Sequence, residues 1–326
     1  MVQDSSEAML VNLLIPFLNE EENIFLLRTR ICEASRGMTD QLSVIFVNDG
    51  SSDNSEMLLR EWIAADPRIR LINFSRNFGS HAAVAAGLRY CDGDCAVIMA
   101  ADLQDPPETI PQLVEEFRKG PDVVWACRTE RIGESFFTRI TSLLYYGAMR
   151  RLGLPNMPPT GADFLLVSKK VIKAINQHPE KHTSVFGMIS WMGFEQSFIG
   201  YVKQARHAGV SKWNFSKKIK VFIDSIVSFS YVPIRLTTLF GLFLATAGFL
   251  YAIVVFFSRL AGLLHTGTGF AALMTVLLVG QGTILLMLGI LGEYIWRAFD
   301  ESRGRPRFII DEVVDHDSLS NNSLLK

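Results

Sequence analysis

The sequence lacks a strong excess of charge of either sign. Its 32 lysines and arginines nearly balance 33 aspartates and glutamates, giving a formal net charge of −1 at pH 7. A general nucleic-acid-binding protein carries a basic excess, so we expect no nucleic-acid partner. Cysteines are also few, have no second pair at zinc-finger spacing, and all lie in the first 127 residues: Cys32, Cys91, Cys95 and Cys127. We therefore expect reduced thiols in a cytoplasmic domain.

Two other patterns are missing near the amino terminus. The first eight residues are polar and acidic, so we expect no signal peptide and a first half that stays in the cytoplasm. The turn Gly-x-Gly-x-x-Gly is absent after the first apolar segment, where Pro16-Phe17-Leu18-Asn19-Glu20 stands instead. A dinucleotide-dependent oxidoreductase is therefore disfavoured.

The first 128 residues alternate between short apolar segments and amphipathic segments. This pattern predicts strands at 10–15, 42–47, 69–74, 96–101 and 123–127, and helices at 21–35, 54–65, 80–90 and 108–119. Apolar strands separated by helices indicate an α/β domain whose mostly parallel sheet is covered on both faces. Ligands bind beyond the carboxyl ends of such strands. The informative polar residues fall there, at 19–20, 48–53, 75–79, 102–105, Arg128 and Arg131.

The turn after the fourth predicted strand carries the most chemistry. An apolar run stops at Asp102, Gln104 and Asp105, and Pro106 and Pro107 then lead into a helix. Oxygen ligands at this place suit a hard divalent cation that holds a diphosphate. The alternative is an acidic loop that only caps the helix.

Two other strand ends carry helix-capping patterns. Asn19 is expected to cap a helix with Glu22 completing a capping box, and Asp53 with Glu56 predicts a second box. Asp49 stands at the end of the second strand. There its carboxylate is expected to accept a base N–H or a ribose hydroxyl.

Long apolar runs occur only in the last third of the chain. Residues 236–257 and 270–291 each exceed the ~20 residues that cross a bilayer as a helix. Basic residues flank the pair on both outer sides, whereas the connector holds only Arg259 and His265. The positive-inside rule therefore places both flanks in the cytoplasm. Small residues in the spans favour close helix contacts and a homo-oligomer, for which a tetramer is our hypothesis.

Two basic amphipathic segments precede the spans, at 134–152 and 211–231. Beside a membrane span such segments are expected to lie in the headgroup layer, although ordinary packed surface helices have the same pattern. The predicted organisation is a domain at 1–210, a juxtamembrane helix at 211–231, spans at 233–258 and 270–296 within 232–298, and a cytoplasmic tail at 299–326. Beyond Asp311 the tail is polar, and we expect it to be disordered.

Several motifs follow one another in a characteristic order. They are Pro16-x-x-Asn19-Glu20, Asn48-Asp49-Gly50-Ser51, Ser75-Arg76-Asn77-Phe78-Gly79, Asp102-Leu103-Gln104-Asp105, Gly161-Ala162-Asp163-Phe164 and Arg206-x-x-Gly209-x-Ser211-Lys212. Together they resemble the polyprenyl-phosphate glycosyltransferases of family 2, which include bactoprenol glucosyltransferases and relatives of dolichyl-phosphate mannose synthase. The resemblance implies a GT-A fold and inverting transfer of a hexose to a polyprenyl phosphate, in a membrane of the bacterial inner type. UDP-glucose is the favoured donor.

The resemblance also implies roles for individual residues. Donor binding falls to Pro16, Asn19, Glu20, Asn48, Asp49, Arg76, Asn77, Gly79 and Asp102, and a metal, Mg²⁺ or Mn²⁺, to Asp102 and Gln104. Acceptor phosphate binding falls to Arg128, Arg131, Arg206, Ser211 and Lys212. Asp102, Asp105 and Asp163 are the predicted catalytic residues. For Asp163 a role as base and a role in positioning stay open, because a phosphate with a second pKa of about 6 is already ionised at neutral pH.

The sequence departs from the family pattern at two acids. Ala100 and Asn48 stand where the family usually has aspartate. One alternative is therefore a degenerate membrane scaffold that binds nucleotide sugar without transferring it. Another is the same lipid acceptor with GDP-mannose or a different UDP-sugar. A processive polysaccharide synthase is disfavoured because its Gln-x-x-Arg-Trp motif is absent.

Overall fold

The computed structural model describes residues 8–130, 163–178, 180–181, 183–204, 232–261 and 269–323, and the positions 147, 149–151, 154, 156–158, 227 and 230. The chain divides into two compact units. One comprises Met1–Ser225 with Pro306–Lys326, and the other is Ile226–Arg305. Most of the segments 134–152 and 211–231, for which interfacial helices were predicted, lie outside the described residues.

The described residues of the first unit form an eight-stranded sheet in the order β7-β5-β6-β4-β1-β2-β3-β8. Only β6 and β8 run opposite to the other strands, so the predicted mostly parallel sheet is confirmed. The strands are β1 Leu10–Phe17, β2 Gln41–Asn48, β3 Ile69–Phe74, β4 Cys95–Ile98, β5 Val123–Glu130, β6 Leu165–Ser168, β7 Gln196–Val202 and β8 Ile310–Val314.

Helices follow the first four strands, as the sequence pattern predicts, and two further helices that it did not predict come later in the chain. They are α1 Glu21–Ser35, α2 Ser55–Ala65, α3 Ser80–Arg89, α4 Ile110–Phe117 after a 3₁₀ turn at Pro107–Thr109, α5 Lys169–Gln177 and α6 Val185–Trp191. Gly87 lets α3 lie close to the sheet, because a Cβ there would come within 2.0 Å of Leu14 Cδ1. Gly87 lies in the last turn of α3, so this contact brings the carboxyl-terminal part of the helix close to β1.

The fourth strand is shorter than predicted. It ends at Ile98 rather than at residue 101, and the Met99 N–H makes one further bond, 3.1 Å long, to the Leu14 carbonyl. The chain then turns, with Leu103 at a φ of +60° and buried. The apolar run therefore continues past the strand because Ala101 and Leu103 pack into the core, not because they join the ladder.

The expectation of a disordered tail beyond Asp311 is wrong. Residues 310–314 form β8, which pairs antiparallel with β3, and α9 follows at His316–Ser323. Arg60 and Glu312 form an ion pair across this edge. Val314 and Phe308 are buried, so two apolar side chains anchor a segment whose composition is otherwise polar.

The second unit contains two long apolar helices, α7 Val232–Leu260 and α8 Phe270–Ser302. By length and composition, Val232–Ser258 and Val279–Ser302 are able to cross a membrane. A Cβ on Gly241 of α7 would lie 3.3 Å from Met287 Cε of α8, so the two helices pack tightly at this glycine. Around Gly248, Gly280, Gly282, Gly289 and Gly292 the corresponding space is open within one chain.

Candidate active site

Four parallel strands bring the predicted donor-binding residues to one edge of the sheet. β1, β2, β3 and β4 run in the same direction, so their carboxyl ends lie side by side. The segments that follow these ends start at residues 18, 49, 75 and 99. Open α/β sheets bind ligands beyond the carboxyl ends of their strands, so a ligand is expected at this edge of the sheet.

Asn19 joins the loop after β1 to the loop after β2. Its backbone N–H donates to Ser51 Oγ at 2.9 Å, and its Oδ1 accepts from the Ser52 N–H at 2.8 Å. The predicted capping box of Asn19 with Glu22 is wrong, because Glu20 is the residue that precedes α1 and its side chain makes no capping hydrogen bond. Asn19 has a φ of +50° and makes a cross-loop bond in place of a cap.

The second predicted capping box, Asp53 with Glu56, is also wrong in its pairing. Asp53 accepts from the Glu21 N–H and from the Ser55 N–H, both at 3.1 Å. Glu56 accepts from Asn73 Nδ2 at 3.1 Å and does not reach back to a cap. Asp53 therefore holds the starts of α1 and α2 together, a structural task.

Asn48 is a supporting residue and not an open binding group. Its side chain is buried, its Nδ2 donates to Asn73 Oδ1 at 3.0 Å, and its Oδ1 accepts from the Ser51 N–H at 2.8 Å. The donor contact predicted for Asn48 stays a prediction. An amide fits here because it donates to one neighbour and accepts from the other, which a carboxylate cannot do.

Asp49 and Gly79, both predicted to contact the donor, bind each other. The Asp49 carboxylate is buried and accepts from the Phe78 N–H at 2.7 Å and from the Gly79 N–H at 3.0 Å. Burial raises the pKa of Asp49, and the two backbone bonds oppose that shift. Gly79, at a φ of +97°, precedes α3, so the protein's own carboxylate already stands at this helix start.

Replacing Asp49 by alanine is therefore expected to release the 75–79 loop. We expect the free energy of unfolding to fall by about 2 kcal/mol, the usual value of charged hydrogen bonds. Binding of the nucleotide donor is expected to weaken, because the loop that carries Arg76 loses its anchor. Thermal unfolding and titration with UDP would measure both effects. Asp317→Ala, at a side chain that is 97% exposed, is the matched control and should leave both unchanged.

Arg76 and Asn77 are exposed at the edge and are supported from behind by aromatic rings. The Arg76 guanidinium lies 4.0 Å from the centre of the Phe78 ring. Phe78 packs edge-on against Phe74 at 5.6 Å, and Phe74 stacks on Phe308 at 5.3 Å. The carboxyl-terminal segment thus supports the Arg76 loop, a relation that the sequence analysis missed.

The Asp102 turn presents one half-buried carboxylate to the edge. Asp102 Oδ1 accepts from the Gln104 N–H at 3.2 Å, and Gln104 is half-buried as well. Within the described part of the chain, no group of three His, Cys, Asp or Glu residues is placed to hold a metal. A single carboxylate with substrate phosphates still fits Mg²⁺, which is commonly bound by one or two carboxylates, phosphates and water.

Asp105, Tyr201, Arg128 and Asp163 form a continuous polar chain beside this turn. The Tyr201 hydroxyl donates to Asp105 Oδ1 at 2.5 Å, Arg128 Nε donates to the Tyr201 oxygen at 3.3 Å, and Arg128 Nη2 lies 3.1 Å from Asp163 Oδ2. Burial raises the pKa of Asp105, whereas the bond from Tyr201 lowers it. Burial opposes the charge of Arg128, but Asp163 and Tyr201 hold its pKa above the ordinary value.

This polar chain bears on three of the predicted site residues, Asp105, Arg128 and Asp163. Asp105 is buried beneath Tyr201, so it positions neighbours and is not placed to contact a substrate. Arg128 is paired with Asp163, whose side chain is 58% exposed and therefore accessible to a ligand. The remaining predicted acceptor residues, Arg131, Arg206, Ser211 and Lys212, lie outside the described residues.

His81, at the start of α3, is a half-buried base with a buried Nδ1, and the sequence analysis did not single it out. Among the described residues its Nδ1 has no hydrogen-bond partner, and its ring packs edge-on against Phe186 at 5.4 Å. The pKa of His81 is lowered to about 4, chiefly by burial and also by the charge of Arg307, while Asp163 opposes the shift. The imidazole is therefore neutral at pH 7.

Comparison with known proteins identifies the family. Residues 13–175 match the model of glycosyl transferase family 2, and the chain belongs to that family. It is 38% identical to the uncharacterized glycosyltransferase YkcC of Bacillus subtilis, over 92% of this chain and 93% of that one. It is 34% identical to the bactoprenol glucosyl transferase of Shigella phage SfV, over 93% and 98% of the two chains. The predicted family is thus confirmed, and with it the GT-A class of α/β fold.

One solved structure with a similar fold is glucosyl-3-phosphoglycerate synthase from Mycobacterium tuberculosis in complex with Mn²⁺, uridine-diphosphate-glucose and phosphoglyceric acid. The synthase is 19% identical to this chain. The match covers 69% of this chain and 80% of the synthase, with a TM-score of 0.48.

Proposed function

We propose that this glycosyltransferase transfers a hexose, with glucose from UDP-glucose favoured, to a polyprenyl phosphate in the membrane. The observation that carries the proposal is the 34% identity to a bactoprenol glucosyl transferase over nearly the whole of both chains, including the apolar helices. A soluble sugar acceptor would not require such helices. A lipid phosphate, by contrast, has to be met at a bilayer surface.

Donor binding is assigned to the edge formed by Pro16, Asn19, Glu20, Arg76 and Asn77. Arg76 supplies positive charge for a diphosphate, and its ring stack holds the guanidinium in place. The task of Asn48, Asp49 and Gly79 is to hold this edge in shape. A bound Mg²⁺ or Mn²⁺, held by Asp102 with Gln104, would stabilise the negative charge on the departing diphosphate.

The acceptor needs positioning more than activation. A lipid phosphate is largely a dianion at neutral pH, so its oxygen is already a nucleophile. That oxygen forms a bond to the anomeric carbon while the bond from this carbon to the nucleotide diphosphate breaks. In-line attack inverts the anomeric carbon and gives a β-linked product. Asp163 orients the acceptor or the sugar, and the acceptor phosphate is bound by Arg128, Arg131, Arg206, Ser211 and Lys212.

The same proposal places the protein in the membrane. Both apolar helices would cross the bilayer, with the catalytic domain and both termini in the cytoplasm and the short connector outside. The open glycines of α7 and α8 provide faces for contacts between copies, which favours a homo-oligomer, with a tetramer as our hypothesis.

The test is transfer of radiolabelled glucose from UDP-glucose to undecaprenyl phosphate by the purified full-length protein. Labelled lipid should form with Mn²⁺ and disappear with excess chelator. If none forms, GDP-mannose and other UDP-sugars are tried in turn. Failure with every donor would favour the binding scaffold, for which Ala100 is the remaining argument, since Asn48 has a structural explanation.

A further inference from the structure

Lys203 stands between the end of β7 and the Asp102 turn. Two hydrogen bonds fix the chain on either side of it. The Tyr201 hydroxyl donates to Asp105 Oδ1 at 2.5 Å, and the Gln204 N–H donates to the Gln104 carbonyl at 2.9 Å. The backbone of residue 203 is therefore held against the turn that carries the candidate metal ligand.

Two other cations near this turn each have a carboxylate partner within the protein, although Arg128 also belongs to the predicted acceptor site. Arg128 lies 3.1 Å from Asp163, and Arg30 donates through two nitrogens to Glu108. Lys203 is half-buried, and its ammonium makes no hydrogen bond or ion pair with any residue that the structure describes. Withdrawing an ammonium from water without a partner is costly. Such a group suits a site whose anion arrives with the substrate.

The groups around Lys203 shift its pKa in both directions, and the net shift is downward. Burial lowers the pKa of Lys203 and so does Arg128, whereas Asp105, Asp163 and Asp102 all raise it. Three carboxylates thus lie within electrostatic range of one lysine. Asp105 accepts a hydrogen bond from Tyr201, and Asp163 pairs with Arg128, so neither carboxylate forms an ion pair with Lys203.

We propose that Lys203 binds a phosphate oxygen of the substrates, in the donor diphosphate or in the acceptor phosphate, during transfer. A lysine is a compact point charge and serves either source without the fixed fork geometry of an arginine. The proposal rests on the function proposed above. It adds Lys203, which belongs to none of the sequence motifs and follows β7, an edge strand of the sheet.

The test compares Lys203→Gln, which removes the charge, with Lys203→Arg, which keeps it. For Lys203→Gln, kcat/KM is expected to fall about 10- to 100-fold, the loss typical of a charged hydrogen bond. Lys203→Arg should recover most of it, and neither variant should unfold at a lower temperature. A rise in KM for UDP-glucose assigns Lys203 to the donor, and a rise in KM for undecaprenyl phosphate assigns it to the acceptor. Lys173→Gln, at an exposed lysine of α5, is the control.

Two results would overturn the proposal. One is a Lys203→Gln enzyme within about twofold of wild type in both KM values and in kcat. The other is equal loss in both variants together with a lower unfolding temperature, which marks a packing role. If the wild type transfers no sugar at all, binding of UDP and of undecaprenyl phosphate in detergent is measured instead. Unchanged binding of both by Lys203→Gln then rejects Lys203 independently of the proposed reaction.

Discussion

Asp102→Asn is expected to lower kcat about 1000-fold. Ala100 removes the other acid that the family usually supplies, so Asp102 is the one carboxylate of the turn placed at the open edge, while Asp105 is buried under Tyr201. Metal-assisted stabilisation of a leaving diphosphate is worth several kcal/mol, and each factor of ten in rate corresponds to about 1.4 kcal/mol.

The measurement is single-turnover transfer to undecaprenyl phosphate, with Mn²⁺ binding in the presence of UDP followed in parallel. Mn²⁺ binding should be lost together with turnover, because the two share one carboxylate. Asp317→Asn is the matched control. Wild-type kcat in Asp102→Asn would mean that the diphosphate is stabilised by cations of the protein alone, and the metal assignment would then fail.

Phe308→Ala is expected to destabilise the protein by about 3 kcal/mol and to weaken donor binding as well. Removing a buried phenylalanine side chain typically costs this much. Phe308 is 7% exposed and stacks on Phe74 at 5.3 Å, with the Arg89 guanidinium 4.9 Å from its ring centre. Since Phe74 in turn supports Phe78 beneath Arg76, loss of the ring should loosen the Arg76 loop.

Thermal unfolding and UDP titration separate the two effects of this substitution. Ile309→Ala, at a neighbouring side chain that is 51% exposed, serves as the control and should be nearly neutral. Suppose that donor affinity is unchanged at a temperature at which Phe308→Ala is still folded. The carboxyl-terminal segment would then only complete the sheet beside β3 and have no role in donor binding. Weaker UDP binding under the same conditions would make Phe308 a positioning residue for the donor loop.

The two substituted acids of the family pattern have different explanations. Asn48 uses both ends of its amide within the protein, so this substitution maintains a buried network and gives no sign of degeneration. Ala100 has no comparable structural explanation. It is half-exposed and lies just after β4. The sequence showed both departures alike, and only the hydrogen bonds distinguish them.

The sequence by itself determined the features whose signal is local. Each of the first four strands is an apolar run next to its own turn, and the predicted donor-binding and metal-binding residues fall in the turns after these runs, as Asp102 does. The two long helices were predicted equally well, because the length and composition of an apolar run suffice to predict such a helix. The family followed from motifs of this kind, read in order along the chain.

Only the tertiary structure decided which polar groups are left for a substrate. Asp49 and Gly79 are 30 residues apart and pair with each other, and Tyr201 binds Asp105 from 96 residues away. Short strands such as β6 and β8 carry little periodicity, and they form because neighbours already in the sheet offer unpaired backbone groups. A hydrogen bond between distant residues leaves no spacing in the sequence, so the supporting roles of Asn48 and Phe308 and the candidate role of Lys203 emerge only when the sheet is assembled.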